Sequence, residues 1–124
     1  MKYNTTKQPP APIANVILRN LETLESIKNV PMLLVTGSEI TLLPRAFCQQ
    51  IGVDISKTNF LELRGFNNTT SLAYYAKPDL IFLNKRIRGN FLVFDIDEEI
   101  IGRNILNKFT IVFDGKNLEW KVIS

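Results

Sequence analysis

The sequence predicts an all-β protein: a small closed β-barrel of many short strands, with two short helices. Three observations carry that expectation. Short apolar runs recur along the chain, separated by turn residues such as Asn67-Asn68, Asn84-Lys85 and Asp114-Gly115. Eight Phe, three Tyr and one Trp suit a β-rich interior. Only two stretches read as helix, and both are brief. A length of 124 residues with 45% hydrophobic content fits one domain with a real core.

Residues 1–12 read as an extended polar leader ending in Gln8-Pro9-Pro10-Ala11-Pro12. Its prolines favour a poorly ordered arm. Residues 13–124 read as a single domain. A first strand is expected over 13–20, centred on Val16, Ile17 and Leu18, and a turn over 21–25. A second strand spans 26–35. Its end, Met32-Leu33-Leu34-Val35, is apolar without alternation, as in a strand buried on both faces. A small hydroxyl-rich turn, Thr36-Gly37-Ser38, leads into a short strand over 39–43.

Pro44 suits the first turn of a helix over 45–51, and Gly52 suits its end. Strands over 60–64 and 71–75 flank a polar turn and form a hairpin. Residues 80–83 and 87–94 flank Asn84-Lys85 and read as another. The acidic stretch 95–99 reads as loop, with a spacing unlike a calcium-binding loop. Ile100-Ile101 enters Gly102, and a short helix follows with Ile105, Leu106 and Phe109 on one side. Asp114-Gly115 between apolar runs signals a final hairpin.

Composition excludes several chemistries. The chain has no histidine, so nucleophilic mechanisms that need an imidazole base are closed. One cysteine, Cys48, allows no intramolecular disulfide and no thiolate metal site. It reads as a small buried hydrophobe on the first helix, not as a reactive thiol. No metal and no cofactor are expected, and any hydrolysis would rest on carboxylates. Net charge is +3 and the pI is about 9.1. The densest basic run, Lys85-Arg86-Ile87-Arg88, reads as a solvated edge or turn and falls short of a nucleic-acid face. No run approaches the ~18 apolar residues of a membrane span. The polar start lacks the apolar core of a signal peptide, so the expected compartment is cytoplasmic.

Two motifs carry a resemblance. Leu33-Leu34-Val35-Thr36-Gly37-Ser38-Glu39-Ile40-Thr41 resembles the Leu-Asp-Thr-Gly-Ser/Ala loop of retropepsin-like aspartic proteases. Ile100-Ile101-Gly102-Arg103-Asn104-Ile105-Leu106 resembles the apolar-apolar-Gly-Arg-Asp/Asn-x-Leu segment near the end of the same family. The hairpin over 63–75 sits between them, where that family places its flap. The match spans residues 13–113 in order and spacing.

The resemblance implies a retropepsin-like barrel and an endopeptidase active as a homodimer, with one catalytic Asp per subunit. Two carboxylates held together cannot both ionise, so one serves as acid while the other acts as base on water. It implies that Thr36 hydrogen-bonds across the two-fold axis, that Gly37 lets substrate backbone approach, and that Ser38 would bond the carboxylate. Glu39 and Arg103 are expected to pair and tie the second helix to the loop. Flap residues Gly65, Phe66, Asn67, Asn68, Thr69 and Thr70 would close over an extended peptide.

One residue departs from the pattern. Val35 stands where the resemblance places the catalytic Asp, and a valine cannot act as acid, base or nucleophile. The chain is therefore expected to be inactive. Val35 is either an introduced inactivating change in a protein whose natural form carries Asp, or the mark of a natural pseudoprotease that binds extended peptides without cleaving them. The first is favoured, because Thr36, Gly37, Ser38, Gly65, Gly102 and Arg103 are all kept. A third reading is a small basic barrel that binds single-stranded nucleic acid through surface aromatics. The retroviral members end soon after the Gly-Arg helix, whereas here residues 110–124 add a hairpin, so the family's dimer interface is not carried over.

Overall fold

A computed structural model describes residues 1–64, 68–89, 91–94 and 99–123. Period-two alternation sets the first hairpin. In β1 (Ile13–Arg19) the side chains of Ala14, Val16 and Leu18 are buried and share one face. β1 pairs antiparallel with β2 (Ser26–Leu34), which buries Val30, Met32 and Leu34 on the same side. Leu33 and Val35 face the other way and are only half-buried, so the end of this strand alternates after all.

The remaining elements are β3 (Leu42–Leu43), α1 (Arg45–Gln50), β4 (Ile55–Arg64), β5 (Thr70–Ala76), β6 (Asp79–Phe82), β7 (Lys85–Ile87), β8 (Phe91–Phe94), β9 (Ile100–Ile101), α2 (Arg103–Leu106), β10 (Thr110–Asp114) and β11 (Glu119–Ile123). Nine strands form one curled sheet in the order β4-β5-β8-β3-β9-β2-β1-β6-β7, and β10 and β11 form a separate hairpin. β2 and β9 run parallel, as do β3 and β8. These non-local pairings place the end of β2 in the middle of the sheet.

Several elements differ from the sequence expectation. The 87–94 strand is broken. Its first part closes a tight hairpin with β6, through left-handed Leu83 (φ 52°) and Asn84 (φ 64°). Its second part, β8, crosses the sheet to pair with β5 and β3. An apolar run cannot reveal a change of partner in its middle. β3 holds two residues where five were expected, because Glu39 and Ile40 lie in a bend. β4 begins at Ile55, and its register shifts between Ile55 and Phe60. Pro44 is the N-cap of α1 instead of lying in its first turn, and Gly52 ends the helix with φ +71°.

The leader is laid against β11. Trp120 donates its N–H to the Met1 carbonyl (2.8 Å), and Tyr3 donates to Leu118 (2.8 Å). Asn4 and Ala11 exchange backbone hydrogen bonds at 2.7 and 3.2 Å. The leader's backbone groups thus find strand-like partners that its prolines did not suggest.

The main core includes Val16, Leu18, Met32, Leu43, Leu80, Phe82, Ile101, Ile105 and Trp120. Phe82 stacks beside Trp120 at 6.4 Å and meets Phe109 edge-on at 5.1 Å. Cys48 is buried there, and burial pushes its thiol up to about 12 against the opposing charge of Arg45. It is an inert core residue. Among the described residues, no helix is long and apolar enough to cross a membrane.

Candidate active-site loop

The loop over 35–38 begins where β2 stops. β2 and β9 pair through Leu33↔Ile100 and Leu34↔Ile101, and the Val35 N–H extends that ladder to the Ile101 carbonyl at 3.0 Å. The Ser38 N–H then bonds the Val35 carbonyl at 3.3 Å and closes the turn. Val35 is half-buried, while Thr36 and Gly37 are exposed. A Cβ on Gly37 would meet nothing within 4 Å.

Ser38 fixes the exit. Its hydroxyl donates to the Ile40 carbonyl at 2.8 Å, and the Ile40 N–H lies 3.4 Å from the same oxygen. The resemblance implied a bond from Ser38 to a carboxylate. In this chain the hydroxyl bonds the backbone instead.

The Gly-Arg-Asn segment locks the loop from behind. The Arg103 N–H donates to the Ser38 carbonyl at 2.8 Å. A Cβ on Gly102 would lie 2.1 Å from the Ile40 oxygen and 2.6 Å from its carbonyl carbon. Only glycine lets these two backbones come so close. Arg103 Nη2 lies 3.7 Å from Glu39 Oε1, the pair expected from sequence. Both side chains are well exposed, so this pair contributes less than about 1 kcal/mol.

Sequence reasoning missed Thr41. It is buried, donates its hydroxyl to Asn104 Oδ1 at 2.7 Å, and accepts the Gly102 N–H at 3.1 Å. One hydroxyl thus joins the strand after the loop to the glycine and the helix behind it. The signal was a lone Thr among Ile40, Leu42 and Leu43, which reads as a solvent-facing position until the second segment is folded against it.

The β4–β5 hairpin rises beside this frame. Ala73, Leu42 and Leu92 form a second small apolar cluster, with Leu63, Ile40 and Ile100 packed on it. That cluster joins the hairpin to the chain just after the loop. Of the expected flap residues, Gly65, Phe66 and Asn67 lie outside the described residues. Asn68 has φ 56°, and Thr69 and Thr70 are exposed, with Thr70 paired to Arg64. A cavity of about 620 Å³ lies elsewhere, lined by Asn20, Asp54, Asn59, Tyr75, Lys77 and neighbours; none of the expected site residues lines it.

Among the described residues, no group of three or more Cys, Asp or Glu could hold a metal ion. The acidic residues 95–98 lie outside the described residues. Asp114 is held below the usual carboxylate range by hydrogen bonds from Asn117, and it belongs to the last hairpin, not to the loop.

The fold is that of a retroviral protease. The chain superposes on a solved structure of EIAV protease complexed with the inhibitor HBY-793 with a TM-score of 0.64 and 20% sequence identity, over 87% of this chain and 93% of that one. No family model matches the chain, and no curated protein matches it.

Proposed function

We propose that the chain carries the frame of a homodimeric retropepsin-like aspartic endopeptidase, with Val35 at the position of the catalytic carboxylate, and that as it stands it does not hydrolyse peptides. The observation that supports this most is the lock between the 35–38 loop and Gly102-Arg103-Asn104. Two sequence segments that resemble one family's motifs touch through a glycine contact and shared hydrogen bonds, within a retroviral protease fold.

One chain supplies one such loop. Two loops facing each other across a two-fold axis would bring two copies of position 35 together. With aspartate there, the pair would share a proton and activate water between them. With valine the site keeps its shape and has no titratable group. The desolvation and repulsion of a carboxylate pair are also gone, so the Val35 dimer is the more stable one. The β4–β5 hairpin, anchored on the buried Leu42–Ala73–Leu92 cluster, would close over an extended peptide.

Replacing Val35 with Asp tests the reading. The variant is expected to cleave peptides best at acid pH, to be blocked by a statine-type inhibitor, and to sediment as a dimer. A dimeric Val35→Asp variant that cuts nothing in a broad peptide library overturns the enzyme frame. It would favour the second reading, a natural pseudoprotease, which the retained β4–β5 hairpin supports. A strict monomer at high concentration overturns both.

A further inference from the structure

Asp79 lies at the far end of β1 from the loop. Ile13 pairs with Leu33 and Arg19 with Ser26, so six residues of strand, roughly 20 Å, separate the two ends. Arg19 pairs across β1–β6 with Asp79. One step beyond the Leu80↔Ile87 pair of β6–β7, Arg88 comes opposite Asp79. Cross-strand neighbours share a face. Leu18, Leu80 and Ile87 fill the core side, so Arg19, Asp79 and Arg88 form a row on the opposite side.

Asp79 is nonetheless fully buried, beneath the arginines. Its Oδ2 accepts from Arg19 Nη2 at 2.8 Å, and its Oδ1 accepts from Arg88 Nε at 3.1 Å. Arg86 Nη1 stands 4.0 Å from Oδ2, too far for a hydrogen bond. Arg19 Nε is buried without a partner among the described residues. Arg86 and Arg88 are 52% and 59% exposed, and Arg19 is 28% exposed.

Three guanidinium groups on one carboxylate leave a local excess of two positive charges. Charged side chains on a short edge strand such as β7 also discourage strand addition. That role requires them to point outward, not to converge on a buried anion. Here the carboxylate holds the exposed Arg88 fork by a hydrogen bond and draws the exposed Arg86 fork toward the same buried anion.

We propose that Arg86 and Arg88, braced by Asp79 and Arg19, form an oxyanion site that takes a phosphate-type dianion. Two planar forks suit the oxygens of a phosphoryl group, and the excess charge matches a dianion. This site is independent of the peptidase reading, since it touches none of the loop residues.

The test is thermal unfolding of the full chain in inorganic phosphate, against chloride at matched ionic strength. A saturable rise of a few degrees is expected in phosphate alone. Backbone amide shifts should localise on β6 and β7. Arg86→Gln/Arg88→Gln keeps the Arg19–Asp79 pair and should bind at least about tenfold more weakly. Arg88→Lys keeps the charge, loses the fork and should also weaken binding, which separates recognition from misfolding. A phosphoserine peptide that binds more tightly than phosphate assigns a protein-borne phosphoryl group, while equal binding assigns the free ion. Equal responses to phosphate and chloride overturn the proposal, as does unchanged binding in the double variant. Tighter, steeply salt-dependent binding of a single-stranded oligonucleotide also overturns it and gives the patch to nucleic acid.

Discussion

At one end of the β1–β2 hairpin, Val35 hands the chain to a loop fixed by backbone hydrogen bonds and one close glycine contact. At the other end, Arg19 joins a buried carboxylate covered by guanidinium groups. The loop end is fixed chiefly by shape: its close partners are carbonyls, amides and two hydroxyls, and the Arg103–Glu39 pair beside them is exposed. The Asp79 end is fixed by charge, so it responds to pH and to anions. A site held by neutral backbone contacts keeps its geometry when its chemical group is exchanged. The bonds that position 35 makes in the loop are those of its backbone, so its side chain can be exchanged and Val35→Asp is a fair test.

The largest expected break is Gly102→Ala. A Cβ there meets the Ile40 carbonyl, which is backbone and cannot swing aside. The substitution should cost about 3 kcal/mol or more in a urea titration, or prevent folding. Gly37→Ala, in the same motif but with open space around it, should stay within about 0.5 kcal/mol. Equal effects at the two glycines would remove the shape argument for the loop.

Next comes Asp79→Asn, which leaves three guanidinium groups without their anion and should cost about 1–3 kcal/mol. Burial pushes the Asp79 carboxyl up, but the Arg19 hydrogen bond and the charges of Arg88, Arg19 and Arg86 outweigh it and hold the group below its usual value. A depressed folded value means that its stability is present above the unfolded value, about pH 4. It is lost as pH falls through the folded value. Unfolding midpoints should therefore drop on acidification below about pH 4, and Asp79→Asn should flatten that drop. An unchanged acid limb would show that charge does not fix this end.

A smaller effect than that of Asp79→Asn belongs to Thr41→Val. It removes one hydroxyl and leaves the Gly102 N–H and Asn104 Oδ1 without their partner. A cost of about 1–2 kcal/mol is expected, with the acid limb unmoved. A cost that varies with pH would show that the exposed Arg103–Glu39 pair, and not shape, holds the loop.

Much of the fold was legible because its signals are local. The apolar centre Val16-Ile17-Leu18 marks a strand, Gly52 ends a helix, and Asp114-Gly115 turns a hairpin. The broken 87–94 strand was not legible, since a run of apolar residues has the same pattern whether it keeps one partner or changes to another. The loop was legible as Thr36-Gly37-Ser38 and its lock as Gly102-Arg103-Asn104. The role of Thr41 was not, because a hydroxyl's burial depends on what packs over it.

The residue types by themselves closed histidine chemistry, left carboxylates as the source of any hydrolysis, and placed an uncharged valine at position 35. Those are properties of the chain's covalent structure, and no fold can supply an absent ionisable group. Tertiary structure alone decided that the Ile40 carbonyl needs glycine at 102, that Ser38 turns to the backbone, and that the basic run of β7 reaches back to a buried carboxylate. Each of these depends on which backbone lies within a few ångströms of another. Residues as far apart as Arg19 and Asp79 acquire that relation only when β1 and β6 pair.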